Sequence, residues 1–460
     1  MSRKVIPLFL SLVLVATLLL SACQPTTVEV IKTVEVPVEV EKEVEVVKTV
    51  EVEKEVTVVE TVEVPAEAGS LRIWGFYDLT NTEDSRAVQM KQTIDSFQAT
   101  TGVTVEYEQV AWDQMATKVA LAAQAGGDMP DLIMIGYEYV QGLVNAGALL
   151  NIYDQIAQSF FYDDLNAFEK DLNEVNGERH AVGTFISGGQ WYYDTGMFPD
   201  GWPTTEEGWA TECARLSPEG KYVATFFAGR ASAAMAQGFA PLVWSLGDSL
   251  FDDEGKPNFA TENAAKAVTF WRNMLAGQCI PEASFTGDWS ATEAPFVELT
   301  SGGVRGGTWS YIYISGLQDR FEGGTVKIGD PPALTGGEQG YVFMNSETWA
   351  LTSGVQNEDN AFKFINFFFN PAVLAPWAKS NFGVPATAEA LNNPIFDSQF
   401  YTDTLDNLSR NGHKSETSPY YNECMDALSA KVKELVLNPD MDVTAELQTL
   451  QNELLAMYFE

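Results

Sequence analysis

The chain has 460 residues, with 64 acidic against 27 basic side chains and a formal net charge of −37. A surface that acidic repels nucleic acid and anionic lipid, and so excludes both as charge-matched partners. Its only histidines, His180 and His413, stand in no metal-ligand spacing, and there is no HExxH, Walker lysine loop or GxSxG elbow, so neither a metal nor a cofactor is expected.

Residues 1–22 read as a targeting signal: Arg3 and Lys4, an apolar run over 5–20, then Leu20-Ser21-Ala22-Cys23. Small residues before a lone cysteine mark a lipoprotein box, which predicts cleavage before Cys23 and acylation of its thiol. A single transmembrane anchor is the alternative, for which the run is short. The expected location is the outer side of a cell membrane, held by lipid.

Residues 23–69 carry that cysteine and a Val/Glu-rich repeat. VIKTVEV at Val30, VVKTVEV at Val46 and VVETVEV at Val58 are near-copies, and residues 28–67 hold 12 Glu against 4 Lys. With no aromatic residue such a stretch builds no core alone, and reads as a solvated spacer. A valine-rich coiled coil or β-like stalk is the rival. Pro37 and Pro65 interrupt any long helix.

From Leu71 the composition turns globular, and about 390 residues are too many for one core, so two domains are expected. Leu71-Arg72-Ile73-Trp74 is a strand, running into Tyr77-Asp78. A helix over 85–99 puts Met90, Ile94 and Phe97 on one face. Val103, Val105 and Tyr107 alternate with polar residues as a second strand. Asp113 is placed to cap the next helix, whose apolar face holds Met115, Val119 and Ala122 and which Gly126-Gly127 ends. Leu132 to Ile135 reads as a strand buried on both faces, and a further helix stops at Gly147. This β-α-β-α pattern predicts a parallel sheet with ligands beyond the carboxyl ends of its strands. There stands Tyr137-Glu138-Tyr139: two apolar rings around an acceptor, which suits a sugar.

Further on, Trp191-Tyr192-Tyr193-Asp194, Met197-Phe198 and Pro203-Thr204-Thr205 come before a helix over 262–276. Trp349-Ala350-Leu351, a helix over 361–369 and Gly383-Val384-Pro385 come after it. The last helix, 443–459, aligns Leu447, Leu450, Leu454 and Met457 as a packing face. Pro419-Tyr420-Tyr421 either lines a cleft or caps the second domain.

In their order and spacing, Trp74, Phe97, Thr101-Gly102-Val103 and Gly127-Asp128-Met129-Pro130-Asp131-Leu132, with the motifs just named, resemble the family 1 extracellular solute-binding proteins. These are receptors of carbohydrate ABC importers. The resemblance covers nearly everything after residue 70. It implies an α/β, two-lobed periplasmic-binding-protein-like fold of type II, with crossover strands near 184–190 and 341–349. It divides the chain into a first lobe over 70–186 and 344–390, a second lobe over 187–343, and second-lobe C-terminal helices over 391–460. It implies a small-molecule ligand, most simply a carbohydrate, delivery to ABC importer permease subunits, no catalysis and no nucleic acid. Where the family commonly has Pro this chain has Gly183, and the glycine run over 302–307 departs from the usual pattern. That run lacks a phosphate-binding lysine and reads as a close backbone approach to ligand or helix.

Tyr77, Tyr139, Trp244 and Trp309 are the expected stacking residues, among aromatics at strand ends and crossovers that also include Tyr137, Trp191 and Trp349. Asp78, Glu138, Gln190 and Glu347 are the expected hydroxyl partners. Trp309 is expected at the start of a helix over 310–317. Cys213 and Cys279 share the expected second lobe and are candidates for a disulfide, three buried thiols being the alternative. Two other readings stand beside the receptor: a secreted hydrolase using two cleft carboxylates, and a structural surface protein on a repeat stalk.

Overall fold

The computed structural model describes residues 69–460, apart from 175–176, 229–234, 236 and 415. The anchor, Cys23 and the repeat stalk lie outside the described residues. Among those residues no helix is long and apolar enough to cross a membrane.

Strand β1 (Ser70–Gly75) pairs in parallel with β2 (Thr104–Gln109) on one edge and β3 (Leu132–Gly136) on the other. Helix α1 (Ser85–Thr101) lies between the first two strands. Asp84 caps it by accepting from the Arg86 amide, and Gly102 ends it at φ 74°, a left-handed turn open to glycine. Met90, Ile94 and Phe97 form its buried face. Helix α2 (Trp112–Ala125) departs from expectation at its start: its cap is Ala111, which makes no side-chain cap bond, so Asp113 falls inside the first turn. Gly126 closes it at φ 59°.

The sheet is mixed, not purely parallel. Two long strands cross it: β4 (Val182–Asp194) and β8 (Val342–Leu351), over the stretches marked as crossovers by sequence. β8 runs antiparallel to β3, Leu132 facing Leu351 and Gly136 facing Glu347. It also runs antiparallel to the first half of β4, Val182 facing Trp349. From Gly189 onward β4 pairs instead with β6 (Ser301–Gly307), which is parallel to β5 (Tyr222–Phe226). Within one sheet of order β2-β1-β3-β8-β4-β6-β5, the pairing switches partner midway along β4. β7 (Val326–Gly329) and β9 (Val384–Pro385) add to β4, and β10 (Gly412–Lys414) adds to β8.

Burial follows that switch. Around β1 and β3, Trp74, Met115, Val119, Ile133 and Leu143 form one core, beside a smaller cluster of Ile186, Met344 and Leu408. Around β5 lies a larger core, where Trp191, Trp209, Phe226 and Trp271 meet Leu428 and Leu447 of the last two long helices. In the final helix Leu447, Leu450 and Leu454 are buried as expected, but Met457 is 67% exposed, the last turn being packed instead through Tyr458, which stacks on Tyr420.

The Gly183 departure has a local cause. Its amide donates to Glu169 Oε1 at 3.0 Å, and a Cβ there would lie 2.3 Å from Ser346 Oγ. Proline would remove that donor. Glu169 in turn holds the fully buried Arg179 through both its oxygens.

Candidate functional site

The expected ligand residues gather where β1 and β3 end. Past Gly75 the chain turns so that the Tyr77 amide donates to Tyr107 Oη (3.1 Å), which donates back to the Tyr77 carbonyl (3.0 Å). Glycine is required at 75: a Cβ would sit 2.4 Å from Tyr107 Oη. Tyr77, 2% exposed, then places its hydroxyl 2.8 Å from Glu347 Oε2 and 2.9 Å from Asn381 Oδ1. A phenol has one proton for those two acceptors. Burial pushes the Glu347 carboxyl up to about 7, so near neutrality a large share of it is protonated and supplies the second proton.

β3 delivers the second acid. Tyr137–Tyr139 forms one 3-10 turn directly after the strand. Glu138 is 8% exposed, and its Oε2 has no hydrogen-bond partner. Its carboxyl is also pushed up to about 7, first by burial and then by the charge of Glu347. Gly136 makes room for it, since a Cβ there would lie 2.5 Å from that oxygen and 2.7 Å from the Trp112 ring. Two carboxyls near 7 and a buried phenol make a set of groups that can each donate or accept at neutral pH, as recognition of hydroxyls requires.

The opposite edge is reached through Arg86. Its guanidinium is anchored on Asp84 (2.7 Å) and lies 5.0 Å from the Tyr77 ring centre and 4.9 Å from that of Tyr313. Tyr313 ends the short helix Ser310–Tyr313 that follows β6, so one cation bridges the ends of β1 and β6. Trp309 precedes that helix, half-buried, its ring packed over Gly307, where a Cβ would be 2.2 Å away. The helix has four residues and not the eight expected. A helix dipole therefore gives Trp309 nothing.

Asp78 is exposed, and its carboxylate accepts from the Thr80 amide and hydroxyl, which hold its pKa below the usual range. Tyr139 is 7% exposed, edge-on to Trp112 at 5.9 Å, and lines a cavity of ≈ 620 Å³. Thr117 and Gln124 of α2 wall it on one side, and Tyr420, Asn422 and Glu423 on the other. Tyr420 thus lines a cavity and also caps a core, since it stacks on Tyr458 at 4.9 Å.

Two expected ligand residues are spent inside the protein. Gln190 is fully buried: its Nε2 donates to Thr404 Oγ1 (2.7 Å) and its Oε1 accepts from Tyr192. It joins a crossover strand to the helix packed on it. Trp244 is 3% exposed, stacked on His413 at 4.3 Å, with its indole donating to Glu416. Its ring face is covered. The aromatics Trp191 and Trp349 likewise lie in cores, against Trp202 and Trp209 and against Phe364 and Phe368. The glycine run also differs from expectation. Gly302 and Gly303 admit the rings of Phe198 and Trp202 against β6, so the close approach is to aromatic side chains of the core. Cys213 and Cys279 are joined in a disulfide with Cα atoms 4.9 Å apart, and Cys424 is free and buried.

Sequence reasoning missed Arg86, Tyr107, Tyr313 and Asn381. Only the alternation around Tyr107 carried any signal, and it marked a strand, not a partner.

A twisted mixed sheet whose two crossing strands serve two cores, with polar groups converging at the strand ends, defines a two-lobed binding-protein fold. The chain belongs to the bacterial extracellular solute-binding protein family, whose model matches residues 92–403. Similar folds include the GacH receptor of Streptomyces glaucescens, solved unliganded and with acarbose. That likeness has a TM-score of 0.71 at 13% identity, covering 85% of this chain and 99% of that one. Maltose-bound MalE3 of T. maritima gives 0.71 at 15%, covering 85% and 100%. A solute-binding protein of an ABC transporter from Thermotoga lettingae, bound with α-D-tagatose, gives 0.70 at 14%, covering 84% and 98%. No curated protein matches the chain by sequence.

Proposed function

We propose that the chain is the lipid-anchored, outward-facing receptor of an ABC importer, and that it binds a sugar or oligosaccharide and hands it to the permease subunits. The observation that carries this reading is the convergence of Tyr77 and Glu138, just past the ends of β1 and β3, with Glu347 from the middle of β8, and an unpaired Glu138 oxygen. Structures of similar fold are described with acarbose, maltose and tagatose bound. In this reading Cys23 carries the lipid, residues 28–67 hold the receptor clear of the membrane, and the lobes divide at 186, 343 and 390. Tyr77, Asp78, Glu138, Tyr139, Trp309 and Glu347 form the ligand site. Ligand touching both lobes binds the closed form better and shifts the population toward it.

A thermal-shift panel of mono- and oligosaccharides, including maltose, acarbose and tagatose, tests the reading. A ligand at 100-fold over its Kd stabilises the fold by about 2.7 kcal/mol. No shift with any sugar, or cleavage of the sugar on chromatography, overturns it. For the anchor, Cys23→Ser should release the protein from membranes.

A further inference from the structure

Arg305 sits in the middle of β6, faces Trp191 and Phe226 across the sheet, and is 5% exposed. Its Nη1 donates to the Gln237 carbonyl and its Nη2 to Gln237 Oε1 at 3.3 Å, while its Nε has no partner. Among the described residues no carboxylate supports its charge: burial alone acts on the guanidinium, lowering its pKa to about 9. The stretch 229–236, just before Gln237, contains no acidic residue either. A guanidinium does not lose its proton to relieve such burial, and buried charges are otherwise paired.

Beside it lies a cavity of ≈ 20 Å³, whose lining includes Gly189, Gln237, Arg305 and Val342 and is otherwise mostly apolar, with Trp191 and Leu242 among its walls. About 10–15 Å³ is enough to admit one water-sized particle, so this space holds a single small one. Gly189 and Val342 belong to the two crossing strands, which puts the cavity under the switch point of the sheet. The chain has many carboxylates, and among the described residues none is placed here.

We propose that Arg305 and Gln237 form a monovalent-anion site whose occupant supplies the counter-charge that the chain leaves out. The size of the cavity favours a free halide ion. A carboxylate carried by a bound solute has the same chemistry and needs the cavity to widen. The halide arm is independent of the sugar reading, and only the carboxylate arm rests on it.

The test uses the full chain in detergent. Crystals soaked in sodium bromide should show an anomalous peak within hydrogen-bond distance of the Arg305 guanidinium. In solution at constant ionic strength, each tenfold rise in chloride over gluconate should raise the melting temperature by about 1–2 °C. Arg305→Met should lose that dependence, with circular dichroism confirming that it folds. In the carboxylate arm, glucuronate is titrated against glucose. Binding of glucuronate but not glucose, lost in Arg305→Met, assigns the site to a ligand carboxylate, whereas a halide peak and chloride dependence assign it to a free ion. No peak, no chloride dependence and no preference for glucuronate would mean that water fills the cavity, and the proposal is overturned. If the sugar panel fails while the bromide peak appears, the receptor reading falls and the anion site stands.

Discussion

Arg179 and Arg305 are both buried, one beside each core, and the protein treats them in opposite ways. Arg179 is fully enclosed and held by Glu169 through both oxygens, with Glu174 behind it at 3.3 Å. Arg305 has one neutral partner, Gln237. The first has its counter-charge built in, although its Nε, like that of Arg305, has no partner: the carboxylate that holds Arg179 also takes the Gly183 amide, and so fixes the bulge where β4 begins. The second is an open valence. Buried charge is therefore no single signature. What separates a brace from a binding site is whether the chain itself supplies the counter-charge.

The sharpest way to break this comparison is to remove one partner on each side. Glu169→Ala leaves Arg179 buried and unpaired and should cost about 3–5 kcal/mol in urea unfolding. Arg305→Met, which deletes an unpaired charge, should cost less than about 1 kcal/mol or stabilise. Equal losses in the two variants would show that the two arginines are held alike.

The larger core has a covalent staple and the smaller one has none among the described residues. Replacing both Cys213 and Cys279 by Ser should cost about 2–4 kcal/mol. Reduction should add two daltons to the intact mass; an unchanged mass would refute the bridge.

At the strand ends the contrast is between polar and aromatic contact. Glu138→Gln should weaken sugar binding by about 1.5–3 kcal/mol, the value of a hydrogen bond to a charged group. Calorimetry giving wild-type affinity removes Glu138 from the site. Trp309→Ala should reduce affinity by about 1–3 kcal/mol. If it instead destabilises the free protein by about 3–5 kcal/mol with affinity intact, the ring is core.

The remaining effect is a slope in pH. Glu138 and Glu347 have folded pKa values of about 7 against an ordinary 4.5. Between those values the folded state holds more protons than the unfolded one. Stability is therefore fully present below the unfolded value and declines as pH rises toward about 7, by up to about 1.4 kcal/mol per pH unit per group. The two carboxyls titrate as an interacting pair. Glu138→Gln should flatten the decline, and an unflattened melting profile between pH 5 and 7 would show that Glu138 does not titrate in that range.

Much of the fold was legible in sequence because it rests on period and punctuation. The alternation at Val103–Tyr107, the apolar run at Leu132–Ile135 and the glycines closing α2 each act within a few residues. In the candidate site, only a residue's place on an element was legible, as for Tyr77 and Glu138 just past strand ends. It failed for Gln190 and Trp244, whose surroundings come from Thr404, His413 and Glu416, far along the chain. The parallel expectation held for β1, β2 and β3 and ended there for the same reason: β8, from far along the chain, lies beside β3 antiparallel. No local pattern announces Arg86 between Tyr77 and Tyr313, because one ring of that sandwich lies more than two hundred residues away.

The late arrival of β8 also sets a folding order. Leu132 waits for Leu351, and β4 stays half-paired until both β6 and β8 exist. Contacts of such long sequence separation close slowly, since the loop entropy is spent before the pairing returns anything. The first core therefore cannot finish while the chain is still emerging: its central strand is made only after most of the second core. A chain so ordered stays open for longer than one built from consecutive hairpins. Its refolding from denaturant should be limited by docking of 342–351, which a separate peptide of that sequence would compete with.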